Sequence, residues 1–221
     1  GNRSNDEVAA TITPEKIVIN FKGGNHIGEE LIIDRSQVAI PGEHNSENIA
    51  AASLAALTAG ATPRGVTSAV ANFRGISHRL EYIDTIDGVR FFNDSKATNT
   101  EAVVRALECF NNSVVLILGG RNKGGNFNLL SEAVGRHVTE IIALGEATPD
   151  ILAALSPIVP VTTATTMQDA VVKAAGRAVA GNVVLLSPAC SSFDMYTDYA
   201  HRGTVFAETV KNLKKMRCSP S

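Results

Sequence analysis

Val114-Val115-Leu116-Ile117-Leu118-Gly119-Gly120 is the stretch on which the fold turns. Five consecutive apolar residues, rich in branched side chains and stopped by a glycine pair, lack the alternation of a half-exposed strand. Such a run predicts a strand buried on both faces of a parallel sheet. Ile141–Leu144, closed by Gly145, and Val183–Leu186, closed by Ser187-Pro188, repeat the pattern. Helical spacing fills the intervals near 100–110, 128–137, 148–155 and 167–180, and a last helix is expected over about 203–216. This alternation predicts an α/β fold, an open and mostly parallel sheet with helices on both faces.

Upstream, Leu80–Ile86 and Val89–Asn93 read as strands joined by Asp87-Gly88, a strong hairpin signal. Gly75-Ile76-Ser77 reads as a linker, and before it the pattern differs. Residues 1–10 are polar and expected to be loose. Lys16–Phe21 and Glu30–Ile33 read as short strands with Gly23-Gly24-Asn25 as the turn between them. Val38–Ile40 is a third apolar triplet, ended by Pro41-Gly42. Asn45 is expected to cap an alanine-rich helix with Glu47 in its first turn and its end at Gly60. A second helix is expected from Pro63 to Phe73, proline being tolerated in a first turn. Two domains follow from this change of pattern, 1–76 and 77–221.

The composition bounds the function. A net charge of -2 over 221 residues gives no electrostatic footprint for nucleic acid. No apolar run approaches the roughly 18–20 residues of a membrane span, so no membrane partner is expected. Three cysteines, Cys109, Cys190 and Cys218, show no C-x-x-C pair. That count argues against a disulfide framework or a zinc site and fits a reducing, cytoplasmic setting. None of His26, His44, His78, His137 and His201 shows a metal-binding spacing, so no metal ligands are expected here. The basic run Lys211, Lys214, Lys215 and Arg217 suits the solvated face of a last helix.

In open α/β sheets ligands gather beyond the carboxyl ends of the strands. The segments there are Asp94-Ser95-Lys96-Ala97-Thr98-Asn99, Gly119-Gly120-Arg121-Asn122-Lys123, Gly145-Glu146, and Ser187-Pro188-Ala189-Cys190-Ser191-Ser192-Phe193-Asp194. The first places a lysine, an acid and hydroxyls before a helix, a combination suited to phosphate or carboxylate, although an ordinary capping turn has the same composition. The glycine-rich second segment lets a ligand approach backbone, but it satisfies neither G-x-x-x-x-G-K-[ST] nor G-x-G-x-x-G. Cys190 has no base nearby in sequence and reads as a small buried hydrophobe. Ser191 and Ser192 are the better donors to a carboxylate.

Taken in order, Gly42-Glu43-His44-Asn45-Ser46-Glu47-Asn48, His78-Arg79-Leu80-Glu81, Asp94-Ser95-Lys96-Ala97-Thr98-Asn99, Gly119-Gly120-x-x-Lys123 and Leu186–Asp194 resemble the Mur ligases, and within them the MurD-type branch that adds D-glutamate. The resemblance runs over about residues 12–216, and D-S-K-A-T-N is its most specific element. It implies that 77–221 is a Rossmann-like amino-acid-binding domain and 1–76 the remnant of a central ATPase-like domain. ATP and Mg are implied, their main binding elements lying in an N-terminal half outside this chain, so the chain alone is expected to be inactive. The implied substrates are D-glutamate and UDP-N-acetylmuramoyl-L-alanine, joined through an acyl phosphate in peptidoglycan precursor synthesis. By the same resemblance Asn45 and Asn48 meet adenine, Arg79 the ATP phosphates and Asp94 the ribose region. Lys96 is the implied catalytic cation, and Thr98, Lys123, Ser192 and Tyr199 hold the D-glutamate carboxylates. Phenylalanine is usual in the family where Tyr199 stands, so a backbone contact is expected there. Self-association through apolar surface of 1–76 is a further expectation.

Three alternatives remain open at this point. A non-catalytic nucleotide- or amino-acid-binding module would keep the loops without the reaction. A sister Mur or folylpolyglutamate-type ligase would differ at D-S-K-A-T-N. An NAD-linked oxidoreductase requires a G-x-G-x-x-G turn after the first strand, which is missing from the sequence.

Overall fold

A computed structural model describes residues 10–23, 26–38, 40, 42–110 and 113–218. The chain divides into two compact units, Gly1–Gly75 and Ile76–Ser221.

In the first unit three strands, β1 (Ala10–Ile12), β2 (Lys16–Gly23) and β3 (His26–Asp34), form an antiparallel sheet in the order β1-β2-β3. β1 is not expected from sequence, and β2 and β3 extend past the short runs that mark them. Ile17, Ile19 and Phe21 share one face of β2 by the two-residue period of a strand, and all three are buried. They pack with Leu31 and Ile33 of β3 and with Ile49, Ala50, Leu57 and Val66 from the helices α1 (Glu43–Thr58) and α2 (Pro63–Asn72). α1 corrects one expectation. Its cap is Gly42, at φ 103°, with no side-chain cap bond, and Asn45 lies inside the first turn. A glycine there lets the chain enter the helix from a backbone conformation closed to other residues. Thr62 caps α2 by accepting from Gly65 N, with Pro63 in the first turn as expected. The predicted turn at Gly24-Asn25, the segment 1–9 and the middle of the Val38–Ile40 triplet lie outside the described residues.

The second unit is a six-stranded sheet in the order β4-β5-β9-β6-β7-β8. Its strands are β4 (Glu81–Ile86), β5 (Val89–Asn93), β6 (Val114–Gly119), β7 (Val138–Leu144), β8 (Val161–Ala164) and β9 (Val183–Leu186). β4 and β5 pair antiparallel, and every other neighbouring pair is parallel. Asp87 and Gly88 both have positive φ, 51° and 77°, the geometry of a two-residue hairpin turn whose twist matches that of its strands.

β6 is buried along its whole length. Val114, Leu116 and Leu118 enter one core, with side chains of α3 (Thr100–Leu107), α4 (Ser131–His137) and α5 (Thr148–Leu155). Val115 and Ile117 enter the other, with α6 (Met167–Arg177) and α7 (Tyr199–Cys218). An uninterrupted apolar run is therefore what this strand requires, because neither face meets water. β9 divides in the same way, Val183 and Leu185 to one side, Val184 and Leu186 to the other.

The chain moves outward through β6, β7 and β8 with α3, α4 and α5 on one face. It returns through α6 on the opposite face to insert β9 between β5 and β6. α7 then continues on that second face. β9 thus leads to one face while both its neighbours lead to the other. Crevices at the carboxyl ends of strands open where connections diverge in this way. The fold accordingly selects three loops for inspection, those after β5, β9 and β6. Among the described residues no helix is long and apolar enough to cross a membrane.

Candidate functional site

The three loops are tied together by hydrogen bonds that continue beyond the sheet. Ser187 N donates to Ile117 O at 3.2 Å and Gly119 N to Pro188 O at 2.9 Å, extending the β6–β9 pairing into the loops. Arg121 and Ser191 then exchange backbone bonds of 2.9 and 3.1 Å, and Ser191 Oγ donates to Arg121 O at 3.0 Å. Glycine is required at the tightest approach. A Cβ on Gly120, at φ 130°, would collide with Ser191 O, and one on Gly119 with Leu144 O.

Arg202, near the start of α7, is 2% exposed and occupies the centre of the arrangement. Its Nε donates to Ser95 Oγ at 2.9 Å, and its Nη2 to Ser95 O at 2.9 Å and Cys190 O at 3.1 Å. One guanidinium therefore pins the β5 loop to the β9 loop. Burial lowers its pKa to about 10, with Asp194 opposing, so it stays charged at neutral pH. Sequence reading misses Arg202. The available signal is its spacing: it lies on the same helix face as Phe206, Val210 and Leu213, where an apolar residue is expected.

Asp94 joins the same loops from the other side. Its Oδ2 accepts from Ser187 Oγ at 2.8 Å and its Oδ1 from Leu80 N at 3.2 Å. Burial pushes its pKa up to about 6, against the opposing effects of those two bonds and of nearby Arg79. Leu80 and His78 both adopt positive φ, 43° and 66°, as does Ala189 at 57° in the β9 loop. Such backbone persists in non-glycine residues only where the surroundings impose it, and it gathers at ligand sites.

A second set of side chains lies around Lys96. Asn93 Oδ1 accepts from Ser95 N at 3.1 Å, which turns the Asn93 amide nitrogen towards His78 Nδ1 at 3.0 Å. The His78 ring meets the Tyr199 ring edge-on at 6.2 Å, and Lys96 Nζ lies 3.8 Å from the centre of the Tyr199 ring. Ser95 Oγ donates to Tyr199 O at 2.8 Å. The backbone carbonyl of residue 199 is thus engaged by the β5 loop.

The β6 loop carries two cations with different surroundings. Arg121 is held by both oxygens of Glu146 at 2.8 Å. Lys123 is exposed, and its Nζ lies 5.7 Å from the ring centre of Phe193, the neighbour of buried Ser192. Asp194 Oδ2 accepts from Glu146 N at 3.1 Å and so adds the β7 loop to the group.

Of the residues singled out from sequence, Lys96 and Tyr199 are in direct contact. Asp94 and Thr98 share the loop of Lys96, Thr98 half-buried beside Asn99, which caps α3. Arg79 is exposed, close enough to Asp94 to act on its charge. The β9 loop that carries Ser192 is joined to the Lys96 loop through Cys190 and Arg202 and through the Ser187–Asp94 bond. Asn45 and Asn48 stand three residues apart on α1, in the other unit. Cys190 is buried and burial raises its thiol to about 12, which removes it as a nucleophile. Among the described residues no group of His, Cys, Asp and Glu is placed to hold a metal ion.

Residues 78–190 match the family described as Mur ligase, glutamate ligase domain. A UDP-N-acetylmuramoylalanine–D-glutamate ligase of Desulfosudis oleivorans is 49% identical over 78% of this chain and 38% of its own length. The enzyme of that name in Geotalea daltonii is 43% identical over 86% of this chain and 42% of its own length. The chain therefore spans about two fifths of these curated relatives. Among solved structures, UDP-N-acetylmuramate-alanine ligase of Thermotoga maritima superposes with a TM-score of 0.62 at 15% identity, over 93% of this chain and 45% of that one. Folylpolyglutamate synthase of Mycobacterium tuberculosis, complexed with ADP, gives 0.60 at 16% identity, over 91% and 47%. At such identities these two likenesses show the fold alone.

Proposed function

The chain belongs to the Mur ligase family, and from that premise we propose that it is the amino-acid-handling part of a UDP-N-acetylmuramoylalanine–D-glutamate ligase. In the reaction a carboxylate oxygen of the UDP-sugar substrate takes the γ-phosphoryl group of ATP and ADP leaves. The amine of D-glutamate attacks the carbonyl carbon, the C–O bond to phosphate breaks, and the amine proton is released as inorganic phosphate departs. Negative charge is carried by the transferring phosphoryl group, the carbonyl oxygen and both carboxylates of the amino acid. Preorganised cations and donors are what such a reaction needs from a protein.

The reading rests on one observation above all: loops after three adjacent strands, bearing Lys96, Lys123 and Ser192, are knit together through Arg202, Asp94 and the Arg121–Ser191 bridge. In this reading Lys96 faces the reacting phosphate. Thr98, Lys123, Ser192 and the region of Tyr199 receive D-glutamate, Asp94 and Arg79 serve the nucleotide, and Asn45 and Asn48 of the other unit are assigned to adenine by the family resemblance. Asp94 already accepts two bonds, which supports a role in fixing the loop together with any contact to a ribose. The described residues do not form a donor set for Mg, so no step is assigned to a metal on this chain.

The test is a chimera in which this chain replaces the matching segment of the Desulfosudis oleivorans relative. ATP-dependent phosphate release is then measured with UDP-N-acetylmuramoyl-L-alanine and a panel of amino acids. Release that requires D-glutamate is the expected result. A chimera that prefers L-alanine or a folate-linked acceptor would assign the chain to a sister ligase, and binding without turnover would favour a non-catalytic module.

A further inference from the structure

The ring of Tyr199 faces the ammonium of Lys96, 3.8 Å from ring centre to Nζ. This separation is well inside the roughly 6 Å within which a cation is drawn to an aromatic face. Lys96 is only half-buried, so its four-carbon stem would otherwise sample many rotamers. The ring itself is held. Its backbone carbonyl accepts from Ser95 Oγ at 2.8 Å, next to Lys96, and its edge meets the His78 ring at 6.2 Å and 79°. His78 is fixed in turn by Asn93 Nδ2 at 3.0 Å and by the bond from Lys96 N to His78 O at 3.0 Å. Gly203, on α7, leaves the space the His78 ring fills, since a Cβ there would collide with that ring. The sequence of supports runs from Gly203 to His78 to Tyr199 to Lys96 and closes on itself through the backbone of the β5 loop.

We propose that Tyr199 is a positioning residue whose ring face, and not its hydroxyl, parks the Lys96 ammonium at the rim of the β5 loop. The inference builds on the ligase reading by naming how its central cation is aimed. It differs from a role for Tyr199 in holding a D-glutamate carboxylate, because it requires an aromatic ring at 199 and makes no use of an oxygen there. Chemically, the ring leaves the outward N–H bonds of Lys96 for an anion while restraining where the charge can sit. The preorganisation is of the kind that separates a fixed cation from a solvated one.

The contact is read directly in the 221-residue chain by NMR of the lysine side chains. The Lys96 ε-methylene protons are expected upfield of those of the other lysines and inequivalent, as a ring face and a fixed rotamer impose. Tyr199→Phe should keep both signatures and Tyr199→Leu should abolish both, with the remaining amide spectrum intact as the control for folding. The chimera described above then reads the consequence. Tyr199→Leu is expected to lower kcat by about 3- to 30-fold, the range of a partly desolvated cation–π contact, with little change in the KM for D-glutamate. Tyr199→Phe should restore most of that loss. Lys96 protons at ordinary positions in the parent chain overturn the proposal whatever the chimera does. A Tyr199→Phe variant as impaired as Tyr199→Leu overturns it as well, and so does a loss carried by KM alone. An inactive parent chimera with the NMR signatures intact counts against the ligase reading and upholds the parked lysine.

Discussion

Arg202 Nε and Ser95 Oγ lie 2.9 Å apart in a site from which water is almost wholly excluded. The pair connects the last helix to the loop that carries Lys96, and the same guanidinium reaches Cys190 O in the loop that carries Ser192. A buried charge costs several kcal/mol to desolvate, so it is kept only where its hydrogen bonds are made. Among the described residues Arg202 Nη1 and Asp194 Oδ1 are both buried without a hydrogen-bond partner. Replacing Arg202 with Met preserves much of the stem volume but leaves the carbonyls of Ser95 and Cys190 unsatisfied. At about 1–3 kcal/mol for each orphaned group, a loss of about 3 kcal/mol is expected in urea unfolding. A loss below about 0.5 kcal/mol, the level of an ordinary surface change, would show that the guanidinium does not hold the loops.

Asp94 should make stability depend on pH in an unusual direction. Its folded pKa of about 6 lies above the ordinary 3.8, chiefly through burial. The native state therefore binds this proton more tightly than the unfolded chain does. The contribution is fully present below about pH 4 and is lost as pH rises through about 6. The swing amounts to roughly 3 kcal/mol, from two pKa units at 1.36 kcal/mol each. Asp94→Asn keeps an acceptor for Leu80 N and removes the charge. The variant is expected to be more stable than the parent at pH 8 and to lose this part of the slope between pH 4 and 7. Urea midpoints at four pH values decide the matter, and parallel curves for the two proteins would rule the assignment out.

Gly120 and Gly124 offer a controlled comparison within one loop. Both have positive φ, 130° and 86°, so alanine strains the backbone at either place. At Gly124 a methyl group would have nothing within 4 Å, whereas at Gly120 it would meet Ser191 O, Cys190 and Arg202. Gly124→Ala should cost only the backbone strain, about 1–2 kcal/mol. Gly120→Ala should cost distinctly more and break the Arg121–Ser191 bridge. Hydrogen exchange at Ser191 N provides the readout, and equal protection in the two variants would contradict it.

What can be read from the sequence, and what cannot, follows from how each residue meets solvent. β6, β7 and β9 are legible because both their faces are buried, which forces an apolar run. β8 escapes notice for the opposite reason. It is an edge strand, Val161-Thr162-Thr163-Ala164, with only Ala164 buried, and so carries no run to recognise. The Asp87-Gly88 turn is legible because its backbone admits few other residues. The start of α1 is misplaced because a glycine cap leaves no side-chain signature, while Asn45 imitates one. The loops of the candidate site can be found from strand ends alone. The bond from Arg202 to Ser95 and the contact of the Tyr199 ring with Lys96 cannot, since each spans about a hundred residues and spacing along α7 says nothing of that juxtaposition.

Lys123 and Arg121 stand two residues apart on one loop, yet only one of them is available to an incoming anion. Arg121 spends two N–H groups on Glu146 at 2.8 Å, a bidentate geometry that leaves its charge matched. Lys123 has no carboxylate within ion-pair distance among the described residues; its neighbour is the Phe193 ring, at 5.7 Å. An exposed cation beside an aromatic surface suits a carboxylate ligand. In the active chimera Lys123→Ala is expected to raise the KM for D-glutamate by about tenfold, the loss of a charge-assisted hydrogen bond of about 1.5 kcal/mol. The KM for ATP should change by less than a factor of about three, on the same scale. Arg121→Ala should leave the D-glutamate KM near that of the parent, since its guanidinium is engaged within the protein. Equal effects of Lys123→Ala on both substrates, or a larger effect of Arg121→Ala on D-glutamate, would move the carboxylate site away from this loop.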